Sequence, residues 1–123
     1  KRWGRIGDSP VIGAGTYADN NSCAVSCTGH GEYFIRHAVA FDVCARYKYL
    51  KESVEKAADY IIHTELNTNA GNGGLIAVDK LGNIAMPYNS GGMFRGFLYK
   101  EKGRPEIKKG CGIGKKIVVV GEK

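Results

Sequence analysis

Apolar residues recur at helical spacing over residues 32–49. Phe34, Ala38, Phe41 and Ala45 form one stripe, and Ile35, Val39 and Val43 form its neighbour. Two adjacent stripes predict one helix with a widely buried face. Over residues 51–66, Val54, Ala57, Ala58, Ile61 and Ile62 predict a second helix, with Lys51, Glu52, Glu55, Lys56 and Asp59 on its other face. Ahead of both, Cys23-Ala24-Val25-Ser26-Cys27 is short, small and apolar, which predicts a strand buried on both faces. Residues 75–78, 84–88 and 93–99 predict three further strands. The links between them, Asp79-Lys80-Leu81-Gly82-Asn83 and Asn89-Ser90-Gly91-Gly92, are short enough to make antiparallel neighbours of them. Glycine, proline and small polar residues mark loops at 4–10 and 67–74 and a turn at 19–22. The expected order is strand, two helices, antiparallel meander: an α+β fold with helices covering one sheet face.

Composition narrows this picture. With 123 residues the chain is one domain or a piece of one. Its 43% hydrophobic and 24% charged residues are ordinary globular usage, not that of a disordered chain. No apolar run approaches the ~20 residues of a membrane span, so no membrane partner is expected. The start, Lys1-Arg2-Trp3-Gly4-Arg5, has neither Met nor leader and reads as a cut end. The net charge is +6, and Lys100, Lys102, Arg104, Lys108, Lys109, Lys115, Lys116 and Lys123 crowd the end. Residues 100–123 are therefore set apart as a basic tail, in which Ile117-Val118-Val119-Val120 could form one more strand. A solvated tail is the ordinary meaning of such a run. A basic module binding nucleic acid is the alternative, not the expectation. Cys23, Cys27, Cys44 and Cys111 contain no C-x-x-C pair and are expected as small buried thiols in a reducing cytoplasm. Neither a metal nor a cofactor is expected.

Several motifs fail on context. Gly13-Ala14-Gly15-Thr16-Tyr17-Ala18 matches G-x-G-x-x-A, but Asp19-Asn20-Asn21 follows, which breaks the helix a dinucleotide site needs. Gly114-Lys115 lacks both the upstream glycine and the downstream hydroxyl of a phosphate loop. His37 and His63 lie on predicted helices and read as surface or satisfied side chains. Cys27 with His30 makes a poor nucleophile–base pair, three residues apart across a turn.

Two segments carry more. Thr28-Gly29-His30-Gly31 joins a strand to a helix, with glycines that admit close backbone approach and a hydroxyl beside free N–H groups. It could stabilise an oxyanion, or Thr28 could simply cap the helix. Gly4-Arg5-Ile6-Gly7-Asp8 holds a cation and an anion three residues apart. They could grip the two charged ends of an amino acid, or pair with each other.

Read together, residues 1–18, Thr28-Gly29-His30-Gly31-Glu32, Gly74-Leu75-Ile76-Ala77-Val78-Asp79, Ile84-Ala85-Met86-Pro87-Tyr88-Asn89 and Gly92-Met93-Phe94-Arg95 resemble the isoaspartyl peptidases, or plant-type L-asparaginases, over residues 1–99. These are N-terminal-nucleophile hydrolases. The resemblance implies an αββα sandwich made of α and β subunits after autoproteolysis, with this chain as most of a β subunit. It implies a substrate site of Arg5, Ile6, Gly7, Asp8, Thr28, Gly29, His30 and Gly31. There Arg5 clamps the α-carboxylate, Asp8 the α-ammonium, Thr28 and the Gly29 N–H bind the oxyanion, and Gly31 lines the pocket. The substrates implied are L-asparagine and β-aspartyl dipeptides, and the partners an α subunit and a second αβ unit in a heterotetramer. The family's nucleophilic Thr stands some two dozen residues before the Gly-Arg-Ile-Gly-Asp loop and is not among these 123 residues. The chain by itself is thus expected to be inactive, either as part of a hydrolase or as a non-catalytic relative that still binds aspartate. Ser90-Gly91 stands where many relatives have Thr-Glu, and the tail after Lys102 does not resemble the usual ending.

Overall fold

The computed structural model describes residues 4–100, 107–114 and 118–121. The chain divides into two compact units, residues 1–90 and 91–123. The first unit is α+β. Its sheet has four antiparallel strands in the order β1 (Thr16–Ala18), β2 (Cys23–Gly29), β3 (Gly73–Asp79), β4 (Ile84–Ala85). Helices α1 (Gly31–Arg36), α2 (Val39–Tyr49) and α3 (Val54–Tyr60), the last continued by a π-helical stretch at Ile61–Leu66, supply most of the core. Phe34, Val39, Val43, Val54, Ile62 and Leu75 are wholly buried within it.

Strand β2 differs from expectation. Cys23, Val25 and Cys27 face the core, but Ala24, Ser26 and Thr28 are exposed. In register beside them, Ile76 opposes Ser26 and Val78 opposes Ala24. Both are open to solvent, at 47% and 42% exposure. The run of small apolar residues conceals a strict alternation, because Ala, Ser and Thr suit an open face as readily as a closed one.

The single helix expected over 32–49 is two. Ala38 takes a left-handed conformation (φ +46°), and α2 starts afresh after it. The N–H groups of Ala40 and Phe41 donate to the carbonyls of Ala14 and Gly13, at 3.0 and 2.8 Å. Loop carbonyls thereby satisfy donors that a new helix start leaves free. The break swings the stripes apart, so Phe34 is buried while Ile35 and Phe41 are exposed. In the second helical segment, the Ser53 hydroxyl caps α3 by accepting from the Lys56 N–H at 3.2 Å. Lys51 and Glu52 fall before the helix, where Glu52 takes two hydrogen bonds from Arg46, at 2.9 and 3.3 Å.

Residues 84–88 also shorten. Only Ile84 and Ala85 form β4, while Tyr88 bridges Gly74 on β3. Because residues 87–89 stay bonded to β3, the 89–92 link closes no hairpin. The next strand, β5 (Arg95–Lys100), pairs instead in a separate antiparallel sheet with β6 (Ile107–Gly112), which pairs in turn with β7 (Val118–Gly121). The valine run is thus a paired strand over its described residues, and β6 was not foreseen. Cys111, on β6, is exposed, contrary to its expected burial, whereas the other three cysteines are buried. Ile117 and Lys115 lie outside the described residues. Among those described, no helix is long and apolar enough to cross a membrane.

The β3–β4 turn is closed by Asp79, which is 6% exposed. Burial alone would raise its carboxyl. Hydrogen bonds from the Asn83 side chain and backbone and from the Leu81 N–H outweigh this and hold it below the ordinary value.

Two measurements check this account. Phe34→Ala should cost about 3–5 kcal/mol in denaturant unfolding at unchanged slope. Asp79, lowered in the folded state, contributes stability that is present above its unfolded value near 3.8 and lost as pH falls through its folded value. Asp79→Asn should therefore flatten the fall of stability with acidification below about pH 4.

Candidate functional site

The 4–8 loop turns on two glycines with positive φ, Gly4 at +63° and Gly7 at +80°. It then delivers Asp8 into the protein, at 5% exposure. The Asp8 carbonyl accepts from the Val11 N–H at 2.9 Å, closing a turn over Ser9-Pro10. Glycines make room for it. A Cβ on Gly15 would stand 2.1 Å from the Asp8 carbonyl oxygen, and one on Gly31 would stand 2.9 Å from its Oδ1. The loop and the 28–31 turn, more than twenty residues apart in sequence, therefore meet at Asp8 and Gly31.

The Gly13-Ala14-Gly15 step is part of this junction. It leads into β1, its first two carbonyls receive the start of α2, and the Gly15 carbonyl accepts from the Cys27 N–H at 2.8 Å. Strand β2 is thus held on one edge by Gly15 and on the other by β3, where the His30 N–H donates to the Asn72 carbonyl at 2.8 Å. N–H groups two residues apart along a strand point the same way. The Gly29 N–H consequently faces the Gly15 edge, as that of Cys27 does, beside the Asp8 loop. The Thr28 side chain stands on the open sheet face.

Gly29 lies opposite Gly73. A Cβ on Gly29 would come 2.3 Å from the Asn72 carbonyl oxygen, and one on Gly73 would come 2.3 Å from that of Thr28. The Phe34 ring lies within 3.0 Å of both positions.

The alternatives left open by the sequence now separate. The N-cap of α1 is His30, without a side-chain cap bond, so Thr28 is not the capping residue. Arg5 is exposed and makes no ion pair with Asp8. The Asp8 Oδ2 atom is buried without a hydrogen-bond partner among the described residues. Ile6 is 70% exposed and His30 is exposed. Cys27 is no nucleophile for His30: its side chain faces the core, and burial, helped by the nearby Asp8 carboxylate, pushes its thiol well up. Cys23 is likewise pushed up, by the neighbouring Cys44 thiol and by burial. His37 lies 3.2 Å from a Glu65 carboxylate oxygen and His63 3.5 Å from one of Asp59. No group of three His, Cys, Asp or Glu among the described residues could hold a metal.

Two surface cavities, of about 360 and 430 Å³, share Asp79 and Lys80 at the far end of β2 and touch neither the 4–8 loop nor the 28–31 turn. The candidate site is the junction of these two bends. Asn89, on a segment that reads as a turn, is not among the residues that the sequence singles out. Its side chain binds the backbone of Ile62, Gly71 and Gly73.

Thiol chemistry checks the assignment of the cysteines. In the folded protein one thiol, Cys111, should react promptly with an aromatic disulfide reagent, and Cys23, Cys27 and Cys44 only on unfolding.

Comparison with known proteins gives a consistent picture. The family described as Asparaginase matches residues 1–107. The chain is 51% identical over 96 residues to an isoaspartyl peptidase of Salmonella typhimurium, covering 78% of this chain and 31% of that protein. It is 46% identical over 110 residues to an isoaspartyl peptidase of Escherichia coli, covering 81% and 34%. It is 51% identical over 96 residues to a probable isoaspartyl peptidase/L-asparaginase of Arabidopsis thaliana, covering 78% and 29%. The chain spans about a third of the length of these relatives.

Proposed function

We propose, because this chain belongs to the asparaginase family, that it forms the substrate-gripping part of a hydrolase acting on β-aspartyl peptides and L-asparagine. The observation that carries the reading is Asp8: a carboxylate buried against Gly31, with one oxygen unpartnered among the described residues. A buried carboxylate oxygen without a partner is costly. A substrate α-ammonium supplies the missing partner. Arg5, exposed on the same loop and without an ion pair among the described residues, takes the α-carboxylate through a bidentate pair. Ile6, Gly7, His30 and Gly31 shape the pocket around the aspartyl group.

The reacting carbonyl then lies at the β2 end. A threonine N-terminus from chain beyond these 123 residues attacks the side-chain carbonyl carbon, and its own amino group takes the hydroxyl proton. Charge develops on the carbonyl oxygen, where the Thr28 hydroxyl and the Gly29 N–H donate to it. Collapse expels the amine, which takes up the proton, and water hydrolyses the acyl-enzyme. The open face of Ala24, Ser26, Thr28, Ile76 and Val78 is suited to a second sheet, completing the αββα sandwich. The α subunit and a second αβ unit complete the assembly, in a reducing cytoplasm that keeps its four free cysteines as thiols.

Full-length enzyme carrying this chain tests the reading, with ammonia release from L-asparagine and cleavage of a β-aspartyl dipeptide as assays. Arg5→Ala should raise KM by about 10- to 100-fold, the equivalent of a lost charge-assisted pair of ~1.5–3 kcal/mol. Thr28→Val should chiefly lower kcat, by about 100-fold. An unchanged KM in the first variant removes Arg5 from the site.

A further inference from the structure

We infer that Asn89 is a positioning residue of this site: one side-chain amide holds the backbone on both sides of Asn72, and through it the oxyanion-binding turn at Thr28 and Gly29. The inference rests on the reading of Thr28 and Gly29 above. The Asn89 Nδ2 donates to the Gly71 carbonyl at 2.9 Å and to the Ile62 carbonyl at 3.2 Å. Its Oδ1 accepts from the Gly73 N–H at 2.8 Å, and its backbone N–H donates to the Gly73 carbonyl at 2.9 Å. Both amide protons and the carbonyl oxygen are thus engaged by backbone, from three different elements: the π-helical stretch, the loop after it, and the first residue of β3.

The consequence falls on Asn72. It lies between Gly71 and Gly73, the two residues that the Asn89 side chain grips, and its carbonyl receives the His30 N–H. Gly73 in turn backs directly onto Gly29 with no room for a Cβ. The orientation of the Thr28-Gly29-His30 backbone is therefore set by a frame whose remaining freedom Asn89 removes. None of these Asn89 hydrogen bonds goes to the substrate-gripping groups, Arg5 and Asp8. A shift of the 71–73 segment would move the oxyanion donors and leave the grip on the aspartyl ends unchanged.

This predicts a kinetic split. In the full-length enzyme, Asn89→Ala should lower kcat by about 10- to 100-fold per folded molecule while KM stays within about twofold, since small displacements of catalytic donors carry losses of that order. The double variant with Thr28→Val should lose less than the product of the two single losses, because both act on one oxyanion. Hydrogen exchange at the His30 amide should accelerate in Asn89→Ala. Should that variant fold poorly, Asn89→Asp, which keeps the acceptor for Gly73 and lacks both donors, should show the same split. Wild-type kcat in a folded Asn89 variant, or losses that multiply with those of Thr28→Val, would overturn the role of Asn89 alone. An unaffected kcat in Thr28→Val would overturn the reading of the turn and take the role of Asn89 with it.

Discussion

Gly29 and Gly73 lie back to back across β2 and β3, with the Phe34 ring against both, and neither position has space for a Cβ. This close approach is the constraint on which the rest of the unit depends. It lets β2 run to its last residue in register with β3 before the chain turns into α1. It sets Thr28 on the open sheet face and turns the Gly29 N–H toward the Gly15 edge. Any side chain there would meet backbone, which cannot swing aside as a flexible side chain can.

A second close approach works alongside the first. Gly15 and Gly31 admit the Asp8 loop from two sides, and each would clash with Asp8 atoms if it carried a Cβ. The outcome is a buried Asp8 carboxylate with one oxygen unpartnered among the described residues. An unsatisfied buried acceptor costs roughly 1–3 kcal/mol, a cost that the proposed substrate ammonium would remove. Strain-free backbone packing and a locally unfavourable polar group thus coexist within a few residues. The proposed substrate site rests on this local exception to a satisfied interior.

The elements varied in how plainly they could be read. The amphipathic pattern of Val54, Ala57, Ala58, Ile61 and Ile62 leads directly to the buried face of the second helical segment, although its widening into a π-helical stretch carries no sequence signal. The stripes over 32–49 predict helix correctly and miss the break, because the residue that breaks it is Ala38, an excellent helix former. Its left-handed turn is imposed by Gly13 and Ala14 capping the new helix from a distant loop. Strand β6 carries no strand signal, because Ile107-Lys108-Lys109-Gly110-Cys111-Gly112 shows no apolar alternation. Its pairing with β5 supplies what the pattern lacks. Asn89, between Tyr88 and Ser90-Gly91, has the composition of an ordinary turn.

The chain's own order of residues determined the α+β class, the helical stripes, the glycines at both bends and the identity of the charged pair, because these follow from local spacing and from the shapes of single side chains. Tertiary structure alone decided that Arg5 and Asp8 do not pair with each other, that β2 keeps one face open, and that Asn89 ties three elements together. Each of these is settled by groups distant in sequence competing for the same space or the same hydrogen bond. No local pattern encodes the winner of that competition.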